Sequence, residues 1–217
     1  MTAIARLGAT AAVLLAARQF FRNWGTTKAE CAMPLPGDSL VGQPAVVTTE
    51  GITIERPPEA VWPWLVQIGL DRAGLYAYET LHTLAGLDYQ DADRIHPPEW
   101  QHLAVGDTVR LAPPRGWLGL DDGILVTVVE IQEGRSIVFL RTGGGDSIWD
   151  AVWSLNVAEH GDDGTRLLIR TRVPLRRPGA VVGAELIAPP KAFVTRAILR
   201  GVKHRAESEP ALPGDPP

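Results

Sequence analysis

The spacing of apolar positions along this chain shifts between a period of two and a period near 3.6, and the order of those shifts predicts its elements. Residues 46–55 alternate, with Ile52 and Ile54 on one face, as a half-buried strand does. Pro57-Pro58-Glu59 then opens a helix. Proline is tolerated in a first turn, where its missing N–H costs no bond, and Glu59 suits the positive end of the helix dipole. Val61, Trp64, Leu65 and Ile68 follow at helical spacing. A second, less regular helical segment is expected over 76–87. Strands are expected over 108–111, 124–131, 136–141, 147–158 and 166–173, with Gly-containing hairpin connections at 132–135 and 160–164. The last expected element is a helix over 190–207. Phe193, Val194, Ala197, Ile198 and Val202 form its apolar stripe, and Lys191, Arg196, Arg200, Lys203 and Arg205 fall mostly outside it.

The ends differ from the middle. Residues 7–17 are an apolar run of 11, flanked by Arg6, Arg18 and Arg22. A spanning helix needs about 20 apolar residues, so this run is short. Phe20, Phe21 and Trp24 beside Arg18 and Arg22 have the character of an interfacial segment. Two readings of residues 1–24 stand: peripheral anchoring of an otherwise cytoplasmic protein, or a helix that packs on the domain or frays. Residues 25–43 are rich in Pro and Gly towards their end and are expected to be a linker. One domain is expected over 44–207, followed by a polar, Pro-rich and disordered tail over 208–217.

Strand, helical insert, antiparallel meander and long C-terminal helix describe a sheet curled around a helix. The stretches GITIERPPEAVWPWLVQIGLDRAGLYAYETL (51–81), DADRIHPPEWQHLAVGDTVRLAP (91–113) and AFVTRAILRGVKHRAE (192–207) carry a resemblance. Over residues 44–207 the chain resembles the START-like (SRPBCC) superfamily, particularly its actinobacterial polyketide cyclase/dehydrase-type branch. That resemblance implies an α+β helix-grip fold, a curved antiparallel sheet around a long C-terminal helix. It also implies an internal cavity, with the stretch after the first helix near the cavity mouth. The superfamily mixes lipid carriers, cyclases and binders, so it specifies the fold and not the chemistry.

Composition narrows the chemistry. A net charge of -4 argues against nucleic acid as a partner, since phosphate neutralisation needs a basic face. The single Cys31 excludes an internal disulfide and a cysteine-based metal site. His82, His96, His102, His160 and His204 show no metal-site spacing, so neither a metal nor another cofactor is expected. His82 could act as a general base; a surface or capping role is the ordinary alternative. Gly37-Asp38-Ser39-Leu40 matches a hydrolase signature, and Asp93-Arg94-Ile95-His96 supplies a D-x-x-H. Ser39 nevertheless sits in the expected linker, without the strand-to-helix turn that a nucleophilic serine needs. The glycines 143–145 read as a turn.

Seven Trp stand beside three Tyr and four Phe. Alternation over 147–158 puts Trp149, Ala151, Trp153, Leu155 and Val157 on one face, so Trp149 and Trp153 either wall an apolar cavity or fill the core. In the next strand Leu167, Ile169, Thr171 and Val173 point inward, while Arg166, Arg170 and Arg172 point out, where a solvated face is expected. Arg72, Tyr76 and Tyr78 are the polar ligand contacts that the resemblance implies, and Asp93, Arg94 and Trp100 form a second cluster. The competing reading is that Arg72 and Arg94 pin irregular loops through nearby aspartates. The expected function is binding of a small hydrophobic molecule or lipid, as carrier or sensor, without catalytic residues. The alternative is a cyclase/aromatase-type enzyme on a polyketide-like substrate, with Tyr76, Tyr78 or His82 moving protons.

Overall fold

Six segments of period-two alternation pair into one antiparallel sheet. The computed structural model describes residues 22–77, 91–95, 99–114, 122–141, 150–174 and 178–208, with backbone alone for 178–190. The strands are β1 (Pro44–Ile54), β2 (Thr108–Ala112), β3 (Ile124–Gln132), β4 (Ser136–Arg141), β5 (Ala151–His160) and β6 (Gly164–Pro174). Their order is β1-β6-β5-β4-β3-β2, so the first strand pairs with the last. Register shifts between Pro44 and Val46, Arg110 and Ala112, and Val128 and Glu130 mark bulges, which bend and twist the strands that carry them.

Helices α1 (Lys28–Ala32), α2 (Pro58–Val66) and α3 (Pro178–Ser208) accompany the sheet. The last begins well before the expected start at Pro190, and Pro189 and Pro190 lie inside it. Sequence alone reads such a pair as a helix start, because proline removes one internal bond and crowds the turn before it. Tertiary contact along α3 offsets that local cost. Lys191 Nζ donates to Thr48 Oγ1 (2.6 Å), Lys203 Nζ to the Thr53 carbonyl (2.9 Å), and Glu55 N to Glu207 Oε1 (2.7 Å). From Thr48 to Glu55 at about 3.3 Å per residue, and from Lys191 to Glu207 at about 1.5 Å, strand and helix both cover roughly 23–24 Å. They therefore run in step.

The inner face of the sheet meets α2 and α3. Ile54, Val128, Ile137, Phe139, Leu155 and Leu167 are fully buried there with Val61, Trp64, Leu199 and Val202. The helix stripe is rotated from the expected one. Phe193 is exposed, whereas Arg196 is buried along with Ala192, Thr195, Ile198 and Leu199. The reason is an inward carboxylate opposite Arg196, described below.

The outer face is covered too, which corrects two expectations. Residues 25–43 are no bare linker: they form a strap with α1 and a 3-10 turn (Asp38–Leu40) laid over the sheet. Thr27 and Glu30 cap α1 reciprocally. Gly51 N donates to the Trp24 carbonyl (3.0 Å) at the free edge of β1, and Val41 packs on Val138 and Val152. Arg166, Arg170 and Arg172 do point outward, but they meet the strap and not solvent. Arg166 Nε lies 2.6 Å from Glu30 Oε1, and Arg170 Nη1 lies 2.8 Å from Asp38 Oδ2. Arg172 Nη1 lies 3.3 Å from Asp38 Oδ1, and Arg172 also donates to the Val41 carbonyl. Trp24, for which an interfacial and a packed reading both stood, packs against the core with Arg196 and Arg200 over its ring at 5.3 and 5.1 Å. Residues 1–21 lie outside the described residues. Among the described residues, no helix is long and apolar enough to cross a membrane.

The strap carries a pH signature. Arg166 holds the Glu30 carboxyl well below its ordinary range, at about 2. A carboxyl depressed on folding contributes stability that is fully present above about pH 4.5 and is lost as pH falls towards 2. Glu30→Gln lacks that contribution. The stability gap between wild type and Glu30→Gln in guanidinium unfolding is therefore expected to close over this window. A constant gap would show that the pair does not bind the strap.

Candidate functional site

Register places three connections at one end of the sheet. Ala112 pairs with Ile124, Arg141 with Ala151 and Pro44 with Pro174, so the β2–β3, β4–β5 and β6–α3 connections all leave there. The opposite end holds the β3–β4 and β5–β6 hairpins, α2 and the close of α3. On that side the inner face is filled, with Ile54, Ile137, Leu155 and Leu167 all at 0% exposure. Towards the first end, Leu111, Ile124, Ala151, Trp153 and Val173 remain partly exposed. The inner face is thus filled at one end and keeps partly exposed apolar surface towards the other.

One rung crosses the inner face and changes character along the way. Val128 pairs with Phe139, Phe139 with Trp153, Trp153 with Thr171, and Thr171 with Thr48. The rings of Phe139 and Trp153 are tilted by 31° with centroids 5.4 Å apart. The rung is thus apolar and aromatic over β3 to β5 and hydroxylic over β6 and β1. Strands lie about 4.8 Å apart, so Trp153 and Thr48 are about 10 Å apart across it.

At the polar end of the rung lies Glu50, two residues along β1 from Thr48 and at 0% exposure. Its carboxylate has Lys191 Nζ at 3.8 Å and Arg196 Nε at 3.6 Å, both from α3. Neither oxygen is within a hydrogen bond of any partner, and nor is the buried Thr171 hydroxyl. Burial pushes the Glu50 carboxyl up to about 7 against the pull of Lys191 and Arg196. Sequence reasoning passed over Glu50, although a signal was present: it falls in phase with Ile52 and Ile54, a carboxylate on the apolar face of a strand.

Apart from Trp153, the residues chosen from sequence lie elsewhere or outside the described residues. Tyr78, Trp149, His82, His96 and the glycines 143–145 belong to the latter, as do residues 78–87 of the expected second helical segment and the tail from 209. Tyr76 is buried and opens no helix, for its φ is 59°, in the left-handed region. Asp91 Oδ1 accepts from the N–H groups of Leu75 and Tyr76, both at 3.0 Å. The Tyr76 hydroxyl donates to the Trp64 carbonyl (2.9 Å), its ring meets Trp64 edge-on at 5.7 Å, and Arg205 lies 4.8 Å over its other side. Burial pushes that hydroxyl's pKa upward. Arg72 donates to the carbonyls of Trp100 and His102, and Trp100 packs on the core. Asp93 and Arg94 are exposed, and the Arg94 carbonyl accepts from Gln67 Nε2 (3.2 Å). Arg72 thus joins the segments after α2 to each other, and Tyr76 fastens them to α2 and to α3. In the hydrolase-like signature, Asp38 is engaged by two arginines and Ser39 lies on the 3-10 turn. Among the described residues, no group of three or more His, Cys, Asp or Glu is placed to hold a metal.

The architecture is the α+β helix-grip fold, a curved six-stranded antiparallel sheet closed by a C-terminal helix. Neither a protein-family model nor a curated protein matches the chain. Solved structures resemble it at low identity. Protein MLL2253 from Mesorhizobium loti shares 13% identity at a TM-score of 0.43, over 76% of this chain and 100% of that one. The Aha1 dimer from Colwellia psychrerythraea shares 14% at 0.43, over 73% and 96%. CalU16 from Micromonospora echinospora shares 12% at 0.35, over 75% and 84%.

Proposed function

We propose that the protein binds a small hydrophobic molecule or lipid against the inner face of its sheet, as a carrier or sensor. One observation carries this reading. Trp153 points to the same face as the fully buried Leu155 but keeps part of its surface exposed, at the end where three connections leave the sheet. A large indole left partly uncovered on a concave face gains by contact with an apolar guest. The cyclase-type alternative has Tyr76, Tyr78 or His82 moving protons; of these the Tyr76 hydroxyl is engaged by the Trp64 carbonyl, and Tyr78 and His82 lie outside the described residues.

Mass spectrometry of solvent extracts from the purified protein is expected to reveal a co-purifying apolar compound. Titration with a panel of lipids should change tryptophan fluorescence, and Trp153→Ala should weaken binding by about tenfold. An empty extract together with unchanged fluorescence across the panel would sink the proposal.

A further inference from the structure

The apolar rung and the unsatisfied carboxylate adjoin on one surface, and together they specify a head group. We infer that the bound molecule carries a neutral hydroxyl, held between Glu50 and Thr171, with its apolar body lying over Trp153 and Phe139. This inference rests on the binding reading above and names the class of ligand for the same site.

Glu50 pairs with Ile169 and Thr48 with Thr171, so Glu50 and Thr171 are diagonal neighbours on the inner face. Diagonal side chains of that kind lie within reach of one group between them. Both are at least nine-tenths buried, at 0% and 6% exposure, and neither makes a hydrogen bond. A buried polar group left in this state is costly, so a molecule that completes it gains what the fold leaves unsatisfied. The two groups ask for complementary things. The carboxylate oxygens need a donor, and the Thr171 hydroxyl needs an acceptor.

A hydroxyl supplies both at once, donating to Glu50 and accepting from Thr171. A carboxylate head can accept from Thr171 but has no proton to donate to Glu50. An ammonium head donates but accepts nothing, and it meets Lys191 and Arg196, which already lie 3.8 and 3.6 Å from the same carboxylate. Trp153 is the direct register partner of Thr171, so a head group at Thr171 lays its adjoining carbons on the indole.

Three probes of equal chain length test the inference on the full chain: 1-dodecanol, dodecanoate and dodecylammonium, titrated at neutral pH with tryptophan fluorescence as readout. Dodecanol is expected to bind about tenfold or more tighter than either charged homologue. Thr171→Val keeps the shape and removes the hydroxyl, and should lower dodecanol affinity by about tenfold. Glu50→Gln should erase the discrimination against dodecanoate. Thermal melts establish that both variants fold, and Thr171→Val alone decides the matter if Glu50→Gln does not. Equal binding of the three probes, tightest binding of a charged one, or an unchanged preference in the variants overturns the head-group assignment and leaves apolar binding standing. Failure of all three probes to bind overturns both.

Discussion

Arg170→Met is expected to destabilise the protein by about 3 kcal/mol, among the largest effects of any single side chain outside the apolar core. The guanidinium is nearly buried and every arm of it is engaged. Nε donates to Thr49 Oγ1, Nη1 to the Met33 carbonyl and to Asp38, and Nη2 to the carbonyls of Glu30 and Cys31. Methionine fills much of the same volume but leaves these acceptors without donors under the strap. An unmet buried acceptor costs about 1–3 kcal/mol, more than the net worth of the bond that satisfied it. Lysine in place of Arg170 should recover only part of the loss, because one ammonium cannot reproduce the planar fork. Arg172→Met is the internal comparison, since among the described residues Arg172 holds only the Val41 carbonyl and the far oxygen of Asp38. Guanidinium unfolding midpoints should fall in the order wild type, Arg172→Met, Arg170→Met. Equal midpoints for the two variants would mean that the strap is not fastened through Arg170.

The second large effect runs against local propensity. Within a helix, glycine to alanine ordinarily gains up to about 1 kcal/mol. At Gly201 on α3 the same change is expected to cost about 2–3 kcal/mol net, the upper range for overpacking. A Cβ there would stand 1.9 Å from the Tyr76 carbonyl oxygen and 2.6 Å from the Tyr76 Cβ. The segment carrying Tyr76 cannot retreat easily. Its φ is 59°, Asp91 grips its backbone, and its hydroxyl is tied to the carbonyl of Trp64. A fall in melting temperature of about 5–10 °C should follow for Gly201→Ala in a protein of this size. A melting temperature equal to or above wild type would show that helix and turn do not approach this closely.

The two cases show where the sequence was legible. Alternation located β1 to β6, because a strand buried on one face repeats its apolar residues every second position whatever its partners are. The inward phase of Leu155, Val157, Leu167 and Ile169 could be read in the same way, and so could the helix opened by Pro57-Pro58-Glu59. The candidate site was less legible. Trp153 stood out as a large aromatic on the inward phase. Arg72 and Tyr76 also stood out, as polar contacts that the resemblance implies, and Trp100 in a second cluster, yet Arg72 donates to the Trp100 carbonyl and Tyr76 to that of Trp64 in α2. Residue type near a turn does not separate a group that waits for a ligand from one that already satisfies a distant carbonyl.

What the sequence by itself determined about this protein is its pattern: the strands, their inward phases, the C-terminal helix and the helix-grip architecture they compose. The tertiary structure alone decided which charges are partnered. Arg166, Arg170 and Arg172 fall on the outward phase of β6, where solvent is the default expectation; only the strap from the N-terminal side, with Glu30 and Asp38, turns them into a buried clamp. Arg196 falls outside a helix stripe judged by hydropathy, and only Glu50 on β1 draws it inward. The physical reason is common to both. Burial of an apolar group is set by its own surface and leaves a period in the chain, whereas burial of a charge depends on a partner more than a hundred residues away, and no local period records that partner.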